Sequence, residues 1–247
     1  MIKFFRKIRQ SLLAEGKFKQ YLKYAIGEIV LVVVGILIAL QVNNWNSDRK
    51  QQKETTENLK ALKVDLQKDI EGLTEYIKYL HKDIDRSEGL KRRLENPLAN
   101  LDTLIHIARY EFYPFYDITP GFNTNTFNSL TASGAIQLLD TALQNDLLQL
   151  NAQQKISSKG VEINQIAYRN TYGEYRLRYS YNDSLKGRIH GFVDDVMWSN
   201  VNEQDLAAKF SATLLNKLSM QRHILWLMEP ILTQSIELNN TINDQIL

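Results

Sequence analysis

Apolar and polar positions divide the chain into a hydrophobic run, three long helical stripes and a mid-chain stretch that fits neither. Ile29 to Leu40 carries no polar side chain, and extending the run from Tyr24 to Asn43 gives twenty residues. That is the length a helix needs to cross a hydrocarbon core of about 30 Å. Tyr21 and Tyr24 stand at one end and Trp45 at the other, as interfacial aromatics do. Beyond the run, Leu59, Leu62, Leu66, Ile70, Leu73, Ile77, Leu80 and Ile84 recur at threes and fours with one four-residue insertion. This predicts a long helix with a heptad-like face and little supercoil, broken at Asn96-Pro97.

Residues 98–109 read as a short helix. The stretch Tyr110–Phe122 packs five aromatics between Tyr110 and Tyr116, followed by Pro120 and Gly121, and reads as a loop. Thr124 or Asn125 can cap a short helix ending near Gly134, and Asp140 or Thr141 can cap the next. That helix is expected from about Thr141 to Tyr179. Its stripe starts at Leu143, Leu147 and Leu150 and continues through Tyr168, Tyr172, Tyr175 and Tyr179. The tyrosines read as a core edge with hydroxyls at the rim, or as a ligand lining. Residues 181–200 read as irregular. A last helix from about Asn202 buries Leu206, Phe210, Leu214, Leu218 and Leu225, and Pro230 kinks or interrupts it. The expectation is all-α: one N-terminal transmembrane helix, then an antiparallel bundle of long helices with an insert at about 96–140. Connectivity puts that insert at one end of the bundle and residues 181–200, with Phe192, Val196, Met197 and Trp198, at the opposite end, beside the bilayer.

Charge refines the picture at the N-terminus. Residues 1–24 hold seven Lys/Arg and one acid, so the rest of a chain of net charge +2 is mildly acidic. A secretory signal would have a shorter basic head and a small-residue cleavage site, so the run reads as an uncleaved signal anchor at residues 24–45. The Lys/Arg excess places the head, residues 1–23, in the cytoplasm and the body, residues 46–247, outside it. Ile2, Phe5, Ile8 and Leu12 gather on one face with Lys3, Arg6, Lys7 and Arg9 toward the other, the pattern of a helix lying on an anionic leaflet. A solvated basic tail is the plainer alternative. Within the span, Glu28, Val32, Gly35, Ala39 and Asn43 share one helical face. Gly35 and Ala39 form a small-xxx-small pair that admits a neighbouring helix, and an acid inside a span faces protein or water more readily than lipid. Equally, Glu28 lies one turn inside the boundary and could reach the headgroups or pair with a lysine of the head.

Little in the composition points to catalysis. A basic head on an acidic body argues against nucleic-acid binding, and the absence of cysteine excludes disulfides, thiolate metal sites and a cysteine nucleophile. His81 with Asp85 and His190 with Asp194 have metal-ligand spacing but no third ligand near in sequence, so no metal or cofactor is expected. Ser133 has no recognisable base, and Asp194-Asp195 reads as a solvated turn. No nucleotide-binding or hydrolase motif occurs, and an enzyme is not expected. The aromatic loop, Tyr110, Phe112, Tyr113, Phe115, Tyr116 and Phe122, is either a cap on the bundle end or a recognition surface.

The segments "MIKFFRKIRQSLLAEGKF" and "YLKYAIGEIVLVVVGILIALQVNNWN", with the shorter "LTASGAIQLLD" at residues 130–140, resemble an uncharacterised single-span membrane protein family of Bacteroidota. That resemblance implies a bacterial inner membrane and a periplasmic helical body, and carries no activity. The chain therefore reads as an interaction or scaffold protein that assembles with itself or with a membrane partner. A periplasmic module that binds a small molecule and signals through a partner is the second reading.

Overall fold

The computed structural model describes residues 18–179 and 191–246. The basic head, with Lys3, Arg6, Lys7 and Arg9, and residues 180–190, with His190, lie outside them. Helix α1 runs Phe18–Leu94 without interruption, so the apolar run and the first heptad stripe belong to one element. Scarcity of proline allows that length. Asn96-Pro97 ends it, because the residue before a proline is driven out of the helical region, and Lys91, Arg92 and Arg93 offset the helix dipole in the last turn.

Two compact units divide the chain, residues 1–57 and 58–247. In the first, the apolar run of α1 is buried nowhere within the chain. It is one helix long and apolar enough to cross a membrane.

The regular elements of the second unit are all helical among its described residues. After α1 come α2 (Leu101–His106), a π-helical turn (Ile107–Glu111), α3 (Asn125–Ser133), a 3-10 turn (Ala135–Leu138), α4 (Thr141–Arg176), α5 (Phe192–Ser199) and α6 (Glu203–Ile246). The caps follow from local chemistry. Asn100 and Thr103 make a reciprocal capping box on α2. The Asp140 carboxylate accepts from the Ala142 N–H at 2.9 Å to start α4, and Asn202 accepts from the Asp205 N–H at 2.9 Å to start α6. Gly134 ends α3 at φ 77°, a left-handed conformation that a residue without a Cβ adopts freely. Pro230 lies inside α6 and does not interrupt it. Residues 192–199, expected to be irregular, form α5.

The closest helix pair is α4 with α6, antiparallel: Asn216 donates to Thr171 and Tyr179 to Asp205. A Cβ on Gly160 would fall 2.9 Å from Leu227 Cδ1, so this glycine sets how near the two helices come. α6 is also antiparallel to α1, through Asp83–Lys217 and His81–Glu229.

The relation of α1 to α4 departs from the expected topology, for they run in the same direction. The reason is the insert, which is no terminal cap. From Phe112 it travels back along α1 as a strap. Tyr76 meets Thr119, Asp69 takes Asn123 and Asp65 takes Thr126. α4 therefore starts near the opposite end of the bundle and climbs beside α1. Residues 192–199 consequently share an end with the start of the insert: Arg109 binds Asp194 and Asp195, and Trp198 is buried against Tyr179.

The buried stripe of α1 also differs from the apolar count. Leu59, Leu62, Leu66, Asp69, Leu73, Tyr76, Leu80, Asp83, Ser87 and Leu90 are all buried. They follow an unbroken three-four spacing, whereas Ile70 and Ile84 are only half-buried. The four-residue insertion expected in the stripe does not exist; polar residues occupy the missing positions. On α6, Leu225 is likewise half-buried, and Gln221, Ile224 and Met228 carry the face.

Gly173 sits in the last turn of α4, and no atom lies within 4 Å of the place a Cβ would take there. Gly173→Ala is expected to raise stability by about 0.5–1 kcal/mol, because alanine loses less backbone entropy in a helix. Urea unfolding of the two proteins checks this; a loss of stability would show that the position tolerates no side chain.

Candidate functional site

Three groups of residues were singled out by sequence, and their positions differ in kind. On α1 the helix is regular, so Glu28, Val32, Gly35, Ala39 and Asn43 do share one face. Val32, Gly35, Ala39 and Asn43 are exposed and Glu28 is half-buried. No atom approaches within 4 Å of a Cβ built on Gly35, so that glycine serves no close contact within the chain.

The aromatic segment 110–122 turns mostly inward. Phe112 is 3% exposed and packs edge-on against Phe210 at 5.1 Å and Tyr175 at 6.2 Å, so its ring is core and offers no surface. Phe115 meets Tyr172 edge-on and Tyr116 meets Tyr168. Tyr113, Phe115, Tyr116 and Phe122 are half-buried, and Tyr110 is exposed. The tyrosine stripe of α4 explains why the segment lies flat. All four rings are buried, and two hydroxyls act as fasteners: Tyr168 donates to the Pro114 carbonyl and Tyr175 to the Ala108 carbonyl. A proline-containing extended strap exposes carbonyls that no helix ladder satisfies, and the Tyr168 phenol satisfies one of them, while Tyr175 fastens a carbonyl of the π-helical turn before it. Burial holds both phenols well above the ordinary tyrosine range, so they remain donors.

Sequence reading missed the polar interior that ties strap to bundle. The Asp69 carboxylate accepts from the Asn123 N–H at 2.8 Å and its amide at 2.6 Å, and from Gln154 at 3.3 Å. Burial raises this carboxyl against the lowering pull of Asn123 and Gln154. Fourteen residues along α1, Asp83 meets Lys217 at 2.7 Å. Lys217 also donates to the Tyr113 carbonyl at 2.7 Å, and its ammonium lies 5.6 Å from the Tyr113 ring centre. Gln221 completes the group by donating to Asp83. Lys217 and Gln221 are at most 1% exposed. Burial lowers the Lys217 ammonium while Asp83 pulls it back up. Asp69, Tyr76 and Asp83 are spaced by sevens, and each faces the strap or what holds it. The signal available in sequence was that seven-residue recurrence, which a count of apolar residues skips.

At the end of the bundle Arg109 reaches Asp194 at 2.7 Å and Asp195 at 2.9 Å. Its guanidinium lies between the Tyr110 ring at 5.0 Å and the Trp198 ring at 5.9 Å. Asp194, expected in a solvated turn, is a buried helical residue in an ion pair. His81 stands 3.6 Å from Glu229, and the Ser133 hydroxyl donates to the Leu130 carbonyl. These are the contacts of a fold that locks a strap in place.

Residues 28–142 match the model of a family of unknown function (DUF6090). The match runs from Glu28 through the rest of the apolar run, the whole strap and the "LTASGAIQLLD" stretch to the first turn of α4. No curated protein and no solved structure matches the chain.

Proposed function

We propose that this protein is a membrane-anchored assembly subunit: α1 crosses a bacterial inner membrane once, with the head cytoplasmic and the helical body periplasmic. The face of Glu28, Gly35 and Ala39 then packs against a second span, from another copy or a membrane partner. The observation that carries the reading is the apolar stretch of α1, where every large aliphatic side chain from Ile29 to Leu40 is 46–63% exposed. So much apolar surface on one helix calls for lipid on most sides, while the small residues and Glu28 favour protein on one. The Lys/Arg bias supports the orientation.

Because Gly35 touches nothing in its own chain, Gly35→Leu is a clean probe of a neighbour. Native mass measurement in mild detergent is expected to show an assembly for the wild type. It should show dissociation for Gly35→Leu and no change for Val30→Leu on the opposite face. Monomers throughout, with no co-purifying membrane protein, would sink the reading.

A further inference from the structure

Helix α4 carries two stripes. One faces the core, from Leu143 to Tyr175. The other lies on the far side of the helix, where Ile156, Ile163, Asn170 and Leu177 recur every seven residues. Ile156 is 70% exposed, Ile163 56% and Leu177 83%, and Asn170 is exposed with them. Leu177 caps the helix in the helical conformation, so it continues the line. Ile166, three residues after Ile163, is also exposed and widens the stripe. A helix that packs on one side needs one apolar stripe. A second stripe in sevens on the solvent side is the pattern of a seam with another helix.

The composition of the stripe selects the partner. With Ile156, Ile163, Asn170 and Leu177 at position a of a heptad, Ile166 falls at d. Isoleucine at a favours two parallel strands, and an asparagine at a single a position fixes register by meeting its own copy. The flanking charges agree. In a parallel, in-register pair each g residue faces the e residue five positions further along the partner. Arg169 is at g and Glu174 at e. Both are exposed, and neither forms an ion pair among the described residues. Symmetry brings Arg169 of each copy to Glu174 of the other, so two ion pairs form. The other flanking pairs, Lys155 with Gly160 and Glu162 with Ala167, oppose no like charges. Lys159 takes one d position, but Glu162 holds its ammonium at 2.7 Å, which leaves its apolar stem to cover the seam. α4 runs in the same direction as α1, so a parallel pair lets both α1 helices depart from the same end of their bundles.

We propose that α4 forms a parallel, in-register seam with α4 of a second copy of this chain. The inference rests on the assembly reading and names its partner. Three heptads that include Lys159 and Asn170 hold weakly alone, and packed spans supply the local concentration that closes them.

Single cysteines at Ile156, Ile163 and Asn170 test it, each oxidised in native membranes in a full-length chain that has no other cysteine. Each is expected to give a product of twice the chain mass, and Ser158→Cys, off the seam, to give little. In the Ile163→Cys chain, Arg169→Glu should lower the dimer yield about fivefold, and adding Glu174→Arg should restore it. All these positions are exposed, so the variants keep the fold. The seam is overturned by no dimer at any of the three positions, by a dimer at Ile156 alone (the sign of an antiparallel pair), by a product of another mass, or by Arg169→Glu without effect. Crosslinking through a cysteine at Gly35 with none on α4 would overturn the seam alone. Absence of both would remove the packed span as well.

Discussion

Lys217→Met is expected to cost about 3–5 kcal/mol of stability, among the largest losses any single substitution should produce here. Methionine fills much of the same volume, so the loss would come from charge rather than from a cavity. Asp83, 4% exposed in side-chain terms, would be left with its charge in the core. The Tyr113 carbonyl would lose its donor as well, adding about 1 kcal/mol. The test is the pair of variants. Asp83→Leu with Lys217→Met removes both charges and should recover most of the loss, because two apolar side chains replace a buried ion pair at little net cost. Urea unfolding of the wild type, the single variant and the double variant gives the three numbers. A loss below about 1 kcal/mol for Lys217→Met, or a double variant no better than the single, would show that the contact does not hold strap, α1 and α6 together.

Phe210→Ala comes next. The ring is fully buried and lies edge-on to Phe112 at 5.1 Å and beside Tyr175 at 5.9 Å. Emptying it should cost about 3–5 kcal/mol through lost burial and the cavity left behind. The effect should also be local in kind. Phe112 begins the strap, and Tyr175 fastens the π-helical turn at Ala108. Near-UV circular dichroism should therefore lose aromatic signal before helix content falls. Tyr110→Ala is the control. That ring is 46% exposed and should cost less than about 1 kcal/mol. Equal losses for the two would mean that the aromatic segment is not seated in the core.

What the sequence revealed follows from how local each determinant is. The long apolar helix, the break at Pro97, the cap at Asp140, the helix end near Gly134 and the helix start near Asn202 depend on neighbours within a few residues, and all were legible. The direction of α4 was not. Reading residues 96–140 as a cap assumes that a loop between helices stays at their ends. Pro114 and Pro120 instead favour extended chain, and the partners that lay it along α1 are Asp65, Asp69 and Tyr76, far upstream in the chain. The polar interior was hidden for the same reason. Asp69 and Asp83 look like solvent-facing charges until Gln154 and Lys217 arrive from other helices. Ile70 and Ile84, one position along, supply a plausible apolar stripe in their place.

The assembly reading rests on one face of one helix, and the chain's lack of cysteine makes that face directly measurable. Single cysteines placed at Val32, Gly35 and Ala39, and on the far side at Val30 and Leu37, can be oxidised in native membranes without competing thiols from the chain itself. The expected result is crosslinking, to a second copy or to a membrane partner, concentrated at Val32, Gly35 and Ala39 and weak at Val30 and Leu37. Crosslinking that is absent, or uniform around the helix, would contradict a packed span and leave α1 as an anchor alone.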